Sequence, residues 1–299
     1  MQSASLFRVG GHYFSVCAPD EFCWAEMENL SPFRVNEMQG AGQPLFTLDI
    51  VDTLPFGKKV PLWVGKTEPG MQVTDLYEFI SNDFGSGYAV AFALCAGEPH
   101  CAWMVMDSSF THAKLRIGSQ PRFSLDNALM LLYAFSSAKF NTLEIHASVV
   151  KKDGGAAIFI GESGAGKSTH SSLWCSHLKG TELINDDNPI LRIENGVVYV
   201  YGSPWSGKTP CYKDISAPVK GVVKIVQAKE NRMFRQPLLQ SYALLTSSSS
   251  GFRPIGSMAD SLHSTIAFIA ESIPFYILEC LPDSAAAELS YKTLYGTAG

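Results

Sequence analysis

The chain has 299 residues, of which 46% are hydrophobic, so it is long enough for one or two domains with a sizeable core. A formal net charge of −5 gives it no overall basic character, so we expect no nucleic-acid partner. The seven cysteines show no C-x-x-C spacing and predict neither a zinc site nor a disulfide framework. We find neither a signal-like N-terminus nor an apolar run of membrane-spanning length, which predicts a cytoplasmic protein without a membrane partner.

The first part of the chain, residues 1–122, has a strand-like pattern. Short runs rich in β-branched and aromatic residues are separated by Gly and Pro turns, and these runs are 6–9, 13–16, 45–51, 88–94 and 102–106. One segment, 73–80, has a helical pattern instead. Carboxylates, histidines and cysteines show no spacing typical of catalysis here. We therefore predict a β-rich accessory domain of unknown role.

The second part, residues 123–299, alternates between helical and strand-like patterns. A helix is expected to begin at Ser124, whose side chain can cap it, and Asp283 is expected to cap a terminal helix over 283–294. Asn195-Gly196 predicts a hairpin between strands 190–193 and 197–201. The other predicted strands are 143–150, 156–160, 181–187, 219–228 and 275–281, and the other helices are 169–178, 237–245 and 258–271. A serine-rich stretch, 247–250, is expected to form a mobile loop.

Residues 161–168 read Gly-Glu-Ser-Gly-Ala-Gly-Lys-Ser, a complete phosphate-binding loop between a predicted strand and a predicted helix. The loop amides and the helix N-terminus favour a polyphosphate. We expect Lys167 to reach the β- and γ-phosphates and the Ser168 hydroxyl to bind Mg²⁺. The sequence therefore predicts binding of a nucleoside triphosphate. The predicted nucleotide-binding residues are Gly161, Glu162, Ser163, Gly164, Ala165, Gly166, Lys167, Ser168 and Thr169.

A pair of carboxylates, Asp186 and Asp187, ends the strand that follows the loop helix. In most phosphate-loop ATPases and GTPases the Mg²⁺-binding Asp comes later, so this pair is unusually close to the loop. One carboxylate can hold Mg²⁺ while the other accepts the proton of an attacking hydroxyl. The alternative is a turn that closes a hairpin before Pro189. The neighbouring phosphate loop favours the catalytic interpretation.

His146 lies in the apolar segment 143–150, one predicted hairpin before the phosphate loop. A histidine in such a strand is usually a core residue with satisfied hydrogen bonds, and the residues alone favour that reading.

Three segments together resemble the catalytic domain of bacterial HPr kinase/phosphorylase. They are Ile145-His146-Ala147, the loop with its preceding strand (158–168), and Leu183-Ile184-Asn185-Asp186-Asp187. The resemblance implies a mixed α/β fold like that of phosphoenolpyruvate carboxykinase, and ATP- and Mg²⁺-dependent phosphorylation of a protein serine. It implies Asp186 as general base, Asp187 and Ser168 near Mg²⁺, and His146 in a polar position at the active site. The family forms hexamers, so a homo-oligomer is also expected.

The resemblance is close over residues 143–195, loose over the rest of the second half, and absent from the first half. The family's segment with a Mg²⁺-associated glutamate has no counterpart. Residues 202–210 instead read Gly-Ser-Pro-Trp-Ser-Gly-Lys-Thr-Pro, which predicts either a second anion-binding loop with a catalytic Lys208 or a turn whose Trp205 packs on the core. Arg232, Arg235 and Arg253 are candidates for a charge-balancing arginine.

The sequence as a whole predicts an ATP- and Mg²⁺-dependent phosphotransferase. The acceptor would be a hydroxyl, with serine favoured, on a protein, a peptide or a metabolite, and the residues do not choose among these or between ATP and GTP. The alternative is a nucleotide-binding regulatory module that has lost phosphoryl transfer. A carboxykinase reaction is a weaker third, because it calls for a second metal site and a carboxylate-binding arginine.

Overall fold

The computed structural model describes residues 2–39, 42–65, 72–81, 85–207, 209–251, 253 and 255–296. The chain divides into two compact units, Met1–Ser136 and Ser137–Gly299. Each unit contains a large mixed sheet, and helices accompany both, so the fold is mixed α/β as the sequence predicts. None of the helices within the described ranges is long and apolar enough to cross a membrane.

The first unit is built on a nine-stranded sheet in the order β3-β1-β2-β4-β9-β8-β7-β6-β5. Its strands are β1 (Gln2–Val9), β2 (His12–Pro19), β3 (Arg34–Val35), β4 (Thr47–Ile50), β5 (Gly57–Trp63), β6 (Val73–Ser81), β7 (Gly85–Ala93), β8 (Ala102–Asp107) and β9 (His112–Arg116). All pairings are antiparallel except those of β4, which runs parallel to β2 and β9. The five predicted strand segments overlap β1, β2, β4, β7 and β8, which confirms them.

The helical pattern predicted for residues 73–80 is wrong, because these residues form β6. β6 lies between two partners, β5 on one edge and β7 on the other. Its buried residues include Val73, Asp75, Phe79 and Ser81, which are separated by even numbers of residues and so share one face of the strand. Backbone hydrogen bonds on both edges outweigh the weak local helical preference.

The first long helix, α1 (Pro121–Ser137), begins three residues before Ser124. Ser124 does not cap it, because its Oγ donates to the carbonyl oxygen of Gln120 at 2.7 Å. Pro121 suits the first helical position, where no backbone donor is needed. The Tyr133 hydroxyl donates to the Val9 carbonyl at 2.9 Å and joins α1 to the first unit. The sequence places the domain boundary at 122, at the start of this helix, whereas the compact units divide at its end, between Ser136 and Ser137.

The second unit begins with a short 3₁₀ turn, Ala138–Phe140, and contains nine strands and four helices within its described part. The strands are β10 (Thr142–Glu144), β11 (Ala147–Lys152), β12 (Gly155–Ile160), β13 (Glu182–Asp187), β14 (Ile190–Glu194), β15 (Val197–Tyr201), β16 (Ser216–Gln227), β17 (Arg232–Arg235) and β18 (Phe275–Cys280). The helices are α2 (Lys167–His177), α3 (Leu238–Ser248), α4 (Gly256–Ser272) and α5 (Ser284–Tyr295).

β12 is the strand that leads into the phosphate loop, and it lies between β11 and β16 in the sheet. The local order is β13-β11-β12-β16-β18-β17, and β12, β16 and β18 are parallel to one another. Their carboxyl ends therefore share one edge of the sheet, where ligands bind in open α/β folds. All of β12 is buried, and its Phe159 packs against Trp174 of α2.

Three local predictions in this unit are confirmed. The β14–β15 hairpin turns at Asn195 and Gly196, whose φ angles are 50° and 79°. Both central residues of such a turn need positive φ, which Asn and Gly tolerate. Asp283 caps α5, and its carboxylate accepts from the Ala286 amide at 2.9 Å. The predicted helices and strands around the phosphate loop are also present.

Candidate functional site

The phosphate loop connects β12 to α2 in a tight backbone curve. Gly161 and Gly166 have φ angles of 149° and 106°, which side-chain-bearing residues rarely adopt. A Cβ on Gly161 would lie 3.1 Å from the Cβ of Ala165 and 3.2 Å from the carbonyl oxygen of Ile225. Glycine at 161 therefore lets the loop wrap closely against β16. The predicted strand, loop and helix are therefore present in the predicted order.

The positive charge at this loop comes from Lys167. The Lys167 ammonium donates to the carbonyl oxygens of Gly161 and Glu162 at 3.0 and 3.3 Å. Burial lowers the pKa of Lys167, and the charges of Asp187 and Asp186 partly offset that effect. The amides of the first turn of α2 have no partner within the helix and face the loop, where they suit an anion.

Asp186, near the end of β13, contacts the phosphate loop at Ser168, the residue after Lys167. β13 pairs antiparallel with β11, which sets Asp186 opposite Ser148. The Asp186 carboxylate accepts a hydrogen bond from the Ser168 hydroxyl at 3.0 Å. Asp186 is buried, with 7% of its surface exposed. The end of β13 therefore contacts the first turn of α2, beside the phosphate loop.

Asp187 takes a different partner, His146. Its carboxylate lies 2.9 Å from the His146 Nδ1, and the two side chains are 32% and 48% exposed. The prediction that His146 lies within a continuous strand is wrong, because the segment 143–150 breaks there into β10 and β11. The break turns the imidazole outward, so His146 is an exposed residue beside the Asp pair rather than a core histidine.

The break at His146 is held open by residues 248–250, which we call the serine segment. The His146 amide donates to the Ser248 carbonyl at 2.7 Å, and the Ser250 amide donates to the Glu144 carbonyl at 2.8 Å. Ile145 and Ser249 form an antiparallel bridge between these two bonds. The predicted mobile loop therefore pairs, along its backbone, with residues 144–146 at the break between β10 and β11.

Glu144 is a polar residue near the site that sequence reasoning missed. Burial raises the pKa of its carboxyl to about 8; the hydrogen bond from Ser250 opposes this rise, and the charge of Asp187 adds to it. The Ser250 hydroxyl donates to Oε1 at 3.1 Å, while Oε2 is buried with no partner within the described part of the chain. A glutamate between Leu143 and Ile145 in an apolar strand was the signal that could have identified it.

The described residues of the segment 202–210 include some that contact the Asp pair and Asn185. The Asn185 amide nitrogen donates to the carbonyl oxygens of Ser203 and Trp205, at 3.3 and 3.2 Å. The Gly207 amide donates to the Asp186 carbonyl at 2.8 Å. Trp205 is buried, with 4% of its surface exposed, as expected for the packed-turn alternative. Lys208 lies outside the described residues, so the anion-binding alternative stays a prediction.

The three candidate arginines differ in position. Arg232 forms an ion pair with Glu230, two residues away, and Arg235 ends the same strand, β17. Arg253 donates to the Thr246 carbonyl at 2.9 Å and to the Ser249 hydroxyl at 2.8 Å. Of the three, Arg253 therefore binds the serine segment, which pairs with residues 144–146.

The oxygen atoms at this site suit Mg²⁺. The described residues contain no group of three or more His, Cys, Asp or Glu side chains that could hold a metal by themselves. Mg²⁺ commonly binds through one or two protein oxygens together with substrate phosphates and water. The Ser168 hydroxyl and the Asp186 carboxylate, adjacent at the phosphate loop, are oxygen donors of that kind. The residues present therefore fit a magnesium–nucleotide complex.

Comparison with known proteins adds little to this geometry. No family model matches the sequence, and no curated protein matches it either. Among solved structures the chain is similar to the HPr(Ser) kinase/phosphatase of Coxiella burnetii. The two share 13% sequence identity, with 51% of this chain and 87% of that chain covered, and the TM-score is 0.29. This partial likeness carries no argument about activity, which has to come from the site itself.

Proposed function

We propose that the second unit binds a magnesium–nucleoside triphosphate, with ATP as the expected nucleotide, and transfers its γ-phosphoryl group to a hydroxyl. The observation that carries this proposal is the 3.0 Å hydrogen bond between Ser168 and Asp186. It joins the phosphate loop to an acidic strand end, which is the combination that phosphoryl transfer needs. The acceptor hydroxyl belongs to a protein, a peptide or a metabolite.

The phosphates would lie along the loop and the first turn of α2. Backbone amides of residues 162–169 and the Lys167 ammonium would neutralise their charge. Ser168 and Asp186 would hold Mg²⁺, which supplies further neutralisation of the β- and γ-phosphate oxygens. Asp186 suits the role of Mg²⁺ ligand because it is buried and accepts a hydrogen bond from the Ser168 hydroxyl.

Asp187 and His146 would accept the proton. The family resemblance implies the opposite assignment, with Asp186 as base and Asp187 at the metal, but three features favour the exchange. Asp187 is the more exposed carboxylate, it contacts His146, and an incoming acceptor needs an accessible base. A neutral His146 that donates from Nδ1 to Asp187 presents an unprotonated Nε2 to the acceptor hydroxyl.

In the transfer step the acceptor oxygen forms a bond to the γ-phosphorus as the bond from phosphorus to the β–γ bridging oxygen breaks. The acceptor proton moves to His146 Nε2, and Asp187 stabilises the imidazolium that results. The nucleoside diphosphate leaves with the bonding electrons. Lys167 stays on the phosphates throughout.

The test measures transfer from γ-labelled ATP and, separately, the affinity for Mg·ATP. Acceptors are the protein itself, a pool of serine peptides and small alcohols. We expect Asp187→Asn and His146→Ala to abolish transfer with Mg·ATP binding unchanged. Asp186→Asn should weaken the Mg²⁺-dependent part of binding. Asp260→Asn, at an exposed position on α4, is the matched control and should behave as wild type.

Two outcomes would contradict the proposal in different ways. Asp186→Asn that abolishes transfer while Mg²⁺-dependent binding stays normal would restore Asp186 as the base. Tight Mg·ATP binding without transfer to any acceptor would instead indicate the regulatory module, in which the loop senses nucleotide and the acidic pair no longer acts on an acceptor.

A further inference from the structure

A cleft of about 380 Å³ opens beside the N-terminal half of α2, on the side away from the Asp pair. We call it the α2 cleft, and its walls include Ala165, Leu173, Ile225, Ala228 and Leu281. They come from the phosphate loop, from α2, and from the carboxyl ends of β16 and β18. The volume lies within the range of roughly 300–1,000 Å³ typical of small-molecule sites.

The described residues that line the α2 cleft carry no charge. None is Lys, Arg, Asp or Glu. Burial lowers the pKa of His170 to about 4, so this histidine is neutral at physiological pH. Burial also raises the pKa of the Cys280 thiol, which is therefore protonated. An apolar, uncharged cleft disfavours a phosphate and suits a flat, uncharged organic group.

The contacts of His170 tie it to α5 and to the next turn of α2. The Trp174 Nε1–H lies 3.2 Å from His170 Nε2 and 2.9 Å from the Ser290 hydroxyl, and that hydroxyl lies 3.0 Å from the same histidine nitrogen. These contacts fix the position of the imidazole. His170, Thr169 and Gln227 add polar side chains to the lining of the cleft.

The α2 cleft is continuous with the phosphate loop, because Ala165 and Gly166 belong to both. The sheet order places the Asp pair and the α2 cleft on opposite sides of β12. β13, which carries the acidic residues, lies on one side of β12, and β16 and β18, which form the cleft, lie on the other. A polyphosphate on the loop therefore has its reacting end toward Asp187 and its other end toward the cleft.

We propose that the α2 cleft binds the nucleoside of the triphosphate, with the base between the α2 face at Leu173 and the strand ends at Ala228 and Leu281. This inference rests on the proposed function, which supplies the phosphates. It assigns an orientation to the ligand and a set of residues, separate from the catalytic ones, that distinguish a nucleotide from a bare polyphosphate.

The experiment compares the dissociation constants of Mg·ATP and Mg·tripolyphosphate by calorimetry. In the wild type, ATP should bind at least about tenfold more tightly than tripolyphosphate, because an apolar base leaves water. Ala228→Trp fills the cleft and should remove that preference, weakening ATP about tenfold while tripolyphosphate changes less than about twofold. Ala243→Trp, at an exposed position on α3, is the matched control and should keep the preference.

Each result decides a different point. Equal wild-type affinities for ATP and tripolyphosphate, or an unchanged preference in folded Ala228→Trp, would overturn the nucleoside site while the phosphate site stands. A wild type that binds neither ligand would overturn the proposed function and the cleft assignment together. If Ala228→Trp unfolds, as its thermal melt would show, Ala228→Leu replaces it, and a graded loss of the ATP preference is then the supporting result.

Discussion

The two units of this protein each contain a nine-stranded sheet, but the polar side chains of the two sheets are arranged differently. In the first unit the buried or half-buried carboxylates form hydrogen bonds within their own surroundings. Asp75 accepts from the Gly65 amide at 2.9 Å and contacts His100 at 2.7 Å, and Asp107 accepts from the Thr111 amide at 2.8 Å. These groups hold turns and strand edges in place.

In the second unit three parallel strands end at one edge, and the polar groups collect there without satisfying one another completely. Asp187 and His146 are paired yet accessible, and one oxygen of Glu144 has no partner within the described residues. Both sheets contain three adjacent parallel strands, β2, β4 and β9 in the first unit and β12, β16 and β18 in the second, so strand direction alone does not explain the difference. What distinguishes the second unit is the glycine loop at the carboxyl end of β12, which leads into the N-terminus of α2 beside the Asp pair.

The largest expected difference between the units concerns their lysines. Lys167→Ala removes the ammonium at the phosphate loop and should lower the rate of transfer by about 10²–10³-fold, since a preorganised charge at the phosphates is lost. Lys58→Ala, at an exposed position on β5, should leave the rate unchanged. Initial rates with γ-labelled ATP measure both, and a normal rate in Lys167→Ala would count against the loop as the reacting site.

The second difference separates stability from binding. Phe79 in the first unit and Phe159 in the second are both fully buried, so replacing either by Ala should cost about 3–5 kcal/mol of unfolding free energy. Phe79→Ala should nevertheless bind Mg·ATP as wild type under conditions where it is folded, because the proposed ligands all belong to the second unit. Urea titration and calorimetry measure the two quantities. A large loss of Mg·ATP affinity in folded Phe79→Ala would show that the first unit takes part in binding.

The third prediction concerns the buried carboxyl of Glu144. Because burial raises its folded pKa to about 8, its protonated form stabilises the fold fully below its unfolded pKa, and this contribution is lost as the pH rises through about 8. Glu144→Gln should therefore become the more stable protein above that pH, by on the order of 2 kcal/mol. Denaturant unfolding at pH 5 and pH 9 measures the change, and a pH-independent difference would contradict it.

The smallest effect belongs to Asp107 and has the opposite sign with pH. Burial opposes its ionisation, but hydrogen bonds from Thr111 and Ser109 outweigh burial and lower the pKa of the carboxyl. Its contribution is present above the unfolded pKa and is lost as the pH falls through the folded value. Asp107→Asn should cost about 1 kcal/mol at pH 7, a cost that shrinks under acid, with transfer unaffected. An equal cost at pH 7 and at pH 3 would exclude this role.

Much of the second unit was predictable because its signals are local. A phosphate loop needs glycines at fixed positions, and Asn195-Gly196 needs only its two neighbouring strands to form a hairpin. His146 was harder, since the break that exposes it depends on the serine segment, about a hundred residues later in the chain. The α2 cleft could not be predicted from the sequence, because its walls come from three separate stretches of chain, 165–173, 225–228 and 280–282, that share no spacing.

The first unit shows the opposite limit. Its predicted strands agree with the structure where alternation is strong, but residues 73–80 have a pattern that fits a helix as well as a strand. Pairing with β5 and β7 on either side favours the strand, and the residues of 73–80 alone do not indicate that these two strands are there. The boundary at Ser136 likewise follows from what α1 packs against, which composition does not reveal.

The hydrogen bonds between the serine segment and residues 144–146 fix the backbone that carries His146, the base in the proposed reaction. His146 is set by a length of chain that touches neither nucleotide nor acceptor in the proposed reaction. Lengthening that connection by one or two residues should shift His146 relative to Asp187 and slow transfer, with the affinity for Mg·ATP unchanged. Evolution could thus retune the rate of this protein by altering a serine-rich turn, leaving every reacting side chain in the sequence as it is.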